Sequence, residues 1–410
     1  MSKKAKYHHR HRSNSKYNKF LKFVKRNKKT FKKITAALCA ALLLIGIGFI
    51  VDKNYFHLIK PEPQKTSAKT ELEISVPSDE ILLVSDAVSY YLTEQKSALS
   101  VYKTFEGYKN RLNVGLPLKL NYNVKGISFE EPIKKAVLEI SENKTFIESL
   151  KYDLDTSMSE VEIYNLKTDT KYYYNLKVTL SNDKELQKKG EFKTAMSPRI
   201  LNIEGIVNVR DIGGWSVQGD GKIRQGLLFR GSELDGAIEP TYKITANGLE
   251  EMRSILGIRF DMDLRASMVN KTPFDAMGKN IKHQYYGIGM YSDILNNDYN
   301  EEKIREIFSE LADKNNYPIY MHCTYGRDRT GTVIYLLEAL LGMSDNDLYR
   351  DYEISALTDS YLESEKFVEF TTRINMLSGN TTKEKVEKYL LSIGVTPQEI
   401  AKIREIFIEK

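Results

Sequence analysis

Between Pro318 and Met343 the chain reads PIYMHCTYGRDRTGTVIYLLEALLGM. A short apolar run (Ile319, Tyr320, Met321) leads to Cys323 and a tight loop continues to Arg329. From Thr330 and Gly331 onward apolar residues recur at helical spacing. Strand, loop and helix in that order set a nucleophile against helix N–H groups. Such an N-terminus carries unpaired donors and the positive end of the helix dipole, so a loop folded onto it attracts an anion, phosphate above all. The same field favours a thiolate over a thiol. Arg329, six residues after Cys323, adds a planar fork that matches two phosphate oxygens. Thiolate, cradle and clamp together describe nucleophilic phosphoryl transfer.

The stretch HCTYGRDRTG resembles the signature of the cysteine-dependent protein tyrosine phosphatases, Cys-x5-Arg followed by Thr. The flanking His322, the loop Gly326 and the Thr330-Gly331 pair strengthen the resemblance. NVRDIGG (Asn208 to Gly214) and GLLFRGSEL (Gly226 to Leu234) resemble motifs that precede the signature loop in the bacterial, lipid- and tyrosine-directed branch. With DMDLR (Asp261 to Arg265), four motifs follow the family's order across residues 199–410.

The resemblance implies that Cys323 attacks phosphorus in line and that water hydrolyses the resulting phosphocysteine. The loop N–H groups of Thr324, Tyr325, Gly326 and Arg327, with Arg329, then stabilise the equatorial oxygens. Thr330 is expected to hydrogen-bond the sulfur and His322 to orient the loop. Arg230 and Arg265, at strand ends, are expected at the substrate. Classical members carry a general acid on a WPD loop, which this chain lacks; Asp328 and Asp263 are the candidates, Asp328 first because the loop itself brings it close. Relatives usually read HCxxGKDRTG, so Arg327 stands in place of Lys and Tyr325 in place of a small residue. That puts a preference for inositol phosphates in doubt and offers Tyr325 as a stacking surface or a narrowing of the pocket.

Strands alternating with helices predict an α/β domain over 196–410, with a mostly parallel sheet and helices on both faces; its sites lie at strand carboxyl ends. Arg230, Asp263, Arg265 and Cys323 all fall there. The Gly-, Asn- and Tyr-rich stretch 266–300 reads as a long loop. Asp351 to Thr382 reads as helical and resembles the segment that covers the active site in this family. The helices Lys383 to Ser392 and Pro397 to Phe407 read as packing.

The elements before this domain set its address. Residues 1–33 hold fourteen Lys or Arg and no acid, and Ile34 to Val51 is eighteen residues without a charge, about 27 Å as a helix. The expectation is an uncleaved signal anchor, a single-pass protein of the cell membrane with its basic tail cytoplasmic and its catalytic domain outside. The formal charge of +6, less fourteen tail cations, leaves −8 for residues 34–410. The exported part therefore has no broad basic field for nucleic acid.

Residues 52–70 read as a linker. From 71 to 195, alternating runs (Leu118, Leu120, Tyr122, Val124; Ala136, Leu138, Ile140; Tyr172, Tyr174, Leu176, Val178) predict an all-β sandwich. LKTDTKY, Leu166 to Tyr172, resembles the tyrosine corner of fibronectin type III domains. The role of 71–112 stays open between a first strand and a segment packed on the phosphatase.

No cofactor and no metal is implied: after the apolar run the histidines are His57, His283 and His322, with no Cys/His cluster. Three functions compete. The first is a phosphatase of phosphotyrosine proteins, with phosphoserine or phosphothreonine as further substrates. The second is a phosphoinositide or inositol polyphosphate phosphatase, for which Arg327, Arg230 and Lys271 would line a cationic pocket. The third is an adhesion protein on an inactive scaffold, against which stand Cys323, Arg329 and both acids.

Overall fold

The computed structural model describes residues 70–94, 101, 104–105, 112–126, 132–265, 276–359 and 364–410. The basic tail, the expected span at 34–51 and Lys271 lie outside them. Among the described residues no helix is long and apolar enough to cross a membrane.

Among the described residues seven strands come first: β1 (Glu71–Ser75), β2 (Leu118–Lys125), β3 (Ile133–Ser141), β4 (Leu150–Leu154), β5 (Glu160–Ile163), β6 (Lys171–Leu180) and β7 (Glu185–Lys193). They form two antiparallel sheets, ordered β1-β2-β5 and β4-β3-β6-β7. In β2 Leu118, Leu120, Tyr122 and Val124 point inward while the lysines and asparagines between them point out, the period-two signature of a half-buried strand. Leu120 and Ile163 of one sheet share a core with Leu138, Leu176 and Val178 of the other. The Tyr172 hydroxyl accepts from the Lys167 backbone N–H at 2.8 Å and pins the turn before β6.

The stretch left open by sequence serves both purposes. β1 joins the sandwich, whereas α1 (Asp86–Glu94) leaves it: Val84, Ala87, Val88 and Tyr91 pack with Ile200, Ile354, Ala356 and Leu357 of the second domain. Arg199 ties the two parts further. It donates to the carbonyls of Asn165 (2.7 Å) and Leu166 (3.2 Å) and to Asp211 (2.9 Å).

The second part runs β8 (Arg210–Asp211), β9 (Ser216–Val217), β10 (Gly221–Ile223), β11 (Leu228–Gly231), α2 (Ala246–Glu250, continued as a π turn), β12 (Phe260–Asp263), β13 (Lys282–Tyr285), α3 (Asp298–Leu311), β14 (Ile319–His322), α4 (Asp328–Leu341), α5 (Asp345–Ile354), α6 (Ala356–Asp359), α7 (Ser364–Met376), α8 (Thr382–Ser392), α9 (Pro397–Phe407) and β15 (Ile408–Glu409). The main sheet is ordered β13-β12-β14-β11-β8. Its first four strands are parallel and β8 pairs antiparallel to β11, so the sheet is mixed. Successive strand residues feed opposite cores. Met262, Ile319 and Met321 meet α3, α4, α7, α8 and α9, whereas Phe229 and Tyr320 meet the α2 side.

One expectation fails here: residues 266–300 are not all loop. Lys282–Tyr285 forms the parallel edge strand β13 and Tyr291–Leu295 a 3₁₀ turn. An edge strand as short and polar as KHQY carries no apolar run to betray it. At the centre, all four residues of β14 are buried, as are twelve consecutive residues of α4, Thr330 to Leu341. A helix buried on every side belongs in the interior, so the Cys323 loop stands between a wholly buried strand and a deeply buried helix.

Candidate active site

β14 hands the chain to the loop with its last carbonyl, His322, accepting from Leu264 N–H at 2.8 Å. Cys323 is 2% exposed. The Thr324 carbonyl accepts from Glu233 N–H at 3.0 Å. Gly326 adopts φ +65°, and a Cβ there would lie 2.2 Å from the Gly231 carbonyl oxygen, so no other residue fits this turn. Helix α4 then opens at Asp328 with no side-chain cap. Thr245, Asn297, Ser344, Thr381 and Thr396 cap α2, α3, α5, α8 and α9. The first-turn N–H groups of α4 are therefore left for a ligand.

The loop's carbonyls are held from behind. Asn208, at φ 56°, donates its Nδ2 to the Tyr325 carbonyl (3.1 Å) and the Gly326 carbonyl (3.3 Å). Arg230 Nη2 donates to the Gly326 carbonyl at 3.0 Å. Peptide planes whose oxygens are drawn one way present their N–H groups the other way.

Arg230 is wholly buried and its Nη1 donates to Asp351 at 2.5 Å. Arg210 donates its Nε to the same carboxylate at 2.9 Å and its Nη2 to the Asp351 carbonyl at 2.7 Å. Burial, then the Arg210 charge, pull the Arg230 guanidinium below the ordinary arginine value, and Asp351 opposes them. Glu338, also buried, is pushed well above the ordinary carboxylate value by burial and the Asp351 charge. Arg230 was expected at the substrate; the structure instead makes it a buttress of the loop.

Arg265 is a second correction. Its Nε donates to both Asp263 oxygens (3.0 and 2.9 Å), and its terminal nitrogens reach Glu233 (2.7 Å) and Asp235 (2.7 and 3.0 Å). A fork saturated by three carboxylates has nothing left for phosphate. Asp263, 2% exposed and bound by that fork, is poorly placed to deliver a proton to a leaving group. Thr330 is the third: among the described residues its buried hydroxyl makes no hydrogen bond, so the expected bond to sulfur is not formed in this structure.

His322 Nδ1 lies 3.2 Å from the Cys323 carbonyl and its Nε2 lies 3.0 Å from Asp261 Oδ1, an ion-pair contact not aligned as a hydrogen bond. Asp261 Oδ2 meets His283 Nδ1 at 2.9 Å. Burial opposes a charge on His322, but Asp263 and Asp261 outweigh it and hold the imidazole up at about 9. The stabilisation from this charge is complete below the unfolded value of about 6.5 and is lost as pH rises through about 9. Thermal unfolding followed from about pH 6 to about pH 10 should show Tm falling across that window, and Asp261→Asn should weaken the dependence, Asp263 remaining to hold the charge. A flat profile in the native chain would contradict this.

Arg329 and Asp328 remain open to a ligand. Arg329 Nε donates to the Ile288 carbonyl at 2.9 Å, and among the described residues no carboxylate pairs with its guanidinium. Asp328 accepts from the Tyr291 hydroxyl on Oδ1 and lies 3.3 Å from Arg327 Nε. Among the described residues nothing donates to its Oδ2. Tyr291 occupies the left-handed region at φ 56°, uncommon for a bulky residue and a mark of strain held at a site. Its hydroxyl also lies 2.7 Å from that of Tyr352. The Arg327 guanidinium sits 5.1 Å from the centre of the half-exposed Tyr325 ring, against which Tyr242 packs edge-on at 5.8 Å.

Residues 201–409 match the tyrosine phosphatase family, just over half of the chain. The chain belongs to that family. It is 25% identical over 130 residues to a tyrosine-protein phosphatase of Nostoc commune, covering 27% of this chain and 43% of that protein. It is 32% identical over 89 residues to the inositol diphosphatase DSP2 of Oryza sativa subsp. japonica, covering 22% of this chain and 43% of that one. It thus spans less than half the length of either relative. Among solved structures, it is similar to the core catalytic domain of the PP-IP phosphatase SIW14 from S. cerevisiae at 15% identity and a TM-score of 0.28, covering 39% of this chain and 86% of that one. Within this phosphatase domain, sequence reasoning had not assigned roles to Asn208, Arg210, Asp351, Asp261 or Tyr291. Asn208 and Arg210 lay in the NVRDIGG motif, which was the available signal for them; Asp351 lay in a stretch read only as a cover.

Proposed function

We propose that the protein hydrolyses phosphotyrosine monoesters through a phosphocysteine. The observation that carries the reading is the pairing of Cys323 with an uncapped helix N-terminus and with Arg329, which no carboxylate among the described residues engages. That provides for one phosphoryl group. The other two strand-end arginines, Arg230 and Arg265, are engaged inside the protein, which removes most of the cations a polyphosphate would need. Tyr325 and Tyr242 supply an aromatic wall suited to a phenyl ring.

In the first step the Cys323 thiolate bonds to phosphorus, the phosphorus–oxygen ester bond breaks, and Asp328 gives its proton to the leaving phenolate. In the second, water attacks the phosphocysteine, the Asp328 carboxylate takes its proton, and phosphate leaves with the thiolate restored.

Asp328→Asn should lower kcat on a phosphotyrosyl peptide by roughly 10² to 10³-fold. It should act far less on p-nitrophenyl phosphate, whose leaving group needs little protonation. Equal losses on both esters would remove Asp328 from the acid's role.

The second reading, hydrolysis of phosphoinositides or inositol polyphosphates, has in its favour the similarity to an inositol diphosphatase and the buried Arg327 within the loop. For the sandwich, the three-plus-four strand order and the Tyr172 hydrogen bond support a fibronectin type III-like module. The fourteen cations followed by eighteen uncharged residues support a membrane anchor with both domains outside the cell. Recovery of the full chain in the membrane fraction after an alkaline carbonate wash, with the catalytic domain digested by protease on intact cells, is the expected result; release by carbonate would remove the anchor.

A further inference from the structure

The family match begins at residue 201, yet a residue far upstream bonds to Asn208, which holds the catalytic loop. Asn113, 4% exposed, lies between α1 and β2. Its Nδ2 donates to Asn208 Oδ1 at 3.0 Å. It also approaches the Thr358 hydroxyl at 2.8 Å and the Ile354 carbonyl at 3.3 Å. The Thr358 hydroxyl in turn donates to Asn113 Oδ1 at 3.0 Å.

The Asn208 amide is therefore fixed at both ends. Asn113 and Arg210 (2.7 Å) donate to its oxygen, and its nitrogen donates to the Tyr325 and Gly326 carbonyls. With two donors on Oδ1 the amide cannot flip without facing like dipoles together.

We infer that Asn113 is a positioning residue for phosphoryl transfer: acting through Asn208, it holds the phosphate-binding loop with its N–H groups toward the ligand. The segment that carries it is tied to the second part of the chain. Leu112 N–H donates to the Leu357 carbonyl at 2.8 Å, the Ser85 hydroxyl donates to the Leu112 carbonyl, and the Tyr91 hydroxyl donates to Glu353 at 2.7 Å. Val84, Val88 and Leu112 pack on Ile354 and Leu357. A chain started at residue 196 therefore lacks Asn113 and the segment that carries it. The inference rests on the phosphatase reading but is tested by a ligand as well as by turnover.

The experiment uses the full chain and compares native protein, Asn113→Ala, Asn208→Ala and the double variant. Each is measured for kcat and KM on a phosphotyrosyl peptide and for orthovanadate affinity by calorimetry. Asn113→Ala should lower kcat about tenfold or more with KM little changed, since loop misplacement acts on the transition state. Orthovanadate should weaken similarly, and the double variant should be no worse than Asn208→Ala. Should Asn113→Ala not fold, Asn113→Ser, which retains a donor and loses the reach, serves in the same cycle.

Tyr91→Phe removes a bond of the same segment away from the relay and should lower stability without changing kcat. Losses that multiply in the double variant, an Asn113 variant within about twofold of native in both readouts, or an equal fall in kcat for Tyr91→Phe would each overturn the inference. If the native chain releases no phosphate from any ester, the phosphatase reading fails, and orthovanadate affinity still decides the role of Asn113.

Discussion

Cys323→Ser is expected to abolish phosphate release, by roughly four to six orders of magnitude, the scale found when a covalent nucleophile is removed. A serine hydroxyl attacks only when a base takes its proton, and the nearest imidazole is not free to serve. His322 is held charged at about 9 between Asp261 and the Cys323 carbonyl, so at neutral pH it has no lone pair to offer. The cradle itself is untouched by the change: Gly326, Asn208 and Arg230 set the loop through backbone carbonyls. The variant should bind a phosphotyrosyl peptide as tightly as the native enzyme and hold it without turnover, as isothermal calorimetry would record. Turnover within about tenfold of native would mean that sulfur is not the nucleophile.

The second large effect concerns stability. Asp351→Ala strips the counter-charge from two guanidinia that are 0–1% exposed, Arg210 and Arg230. Breaking a buried pair by removing one partner costs about 3–5 kcal/mol, a large part of the roughly 5–15 kcal/mol that stabilises an ordinary domain. Glu338 modifies the outcome. The Asp351 charge is part of what pushes its carboxyl up, and once that charge is gone ionisation beside the orphaned arginines becomes easier. Asp351→Asn should therefore lose less than Asp351→Ala, and Asp351→Asn with Glu338→Gln should lose more than Asp351→Asn alone. Urea unfolding measures all three. A loss under about 1 kcal/mol for Asp351→Ala would show that the arginines find water or another partner.

How much of this was legible in the sequence follows from where each interaction is made. The order β14, loop, α4 was legible because Ile319 to His322 and Thr330 to Leu341 are continuous buried runs, and because Gly326 marks a turn only glycine can take. The sandwich was legible because β2 alternates strictly. β13 was not, since a polar edge strand is made by its neighbour β12 and not by its own pattern. The roles of Arg230 and Arg265 were misjudged for a related reason. Position at a strand's carboxyl end says that a side chain is near the site, but its direction is set by partners far along the chain: Asp351 for Arg230, and Glu233 and Asp235 for Arg265. Asn113 left no signal at all, because its one partner in the phosphatase motif lies 95 residues away.

The most direct test of the account is phosphate release by the full chain, in reductant and without added metal, from a phosphotyrosyl peptide, from a phosphoinositide and from an inositol polyphosphate at matched concentrations. The geometry predicts kcat/KM highest on the phosphotyrosyl peptide, because Arg329, engaged by no carboxylate among the described residues, and an aromatic wall fit one phosphoryl group on a phenyl ring. Hydrolysis of the inositol substrates at a rate about tenfold or more above the peptide would contradict that specificity, and a native chain inert toward all three would contradict the chemistry itself.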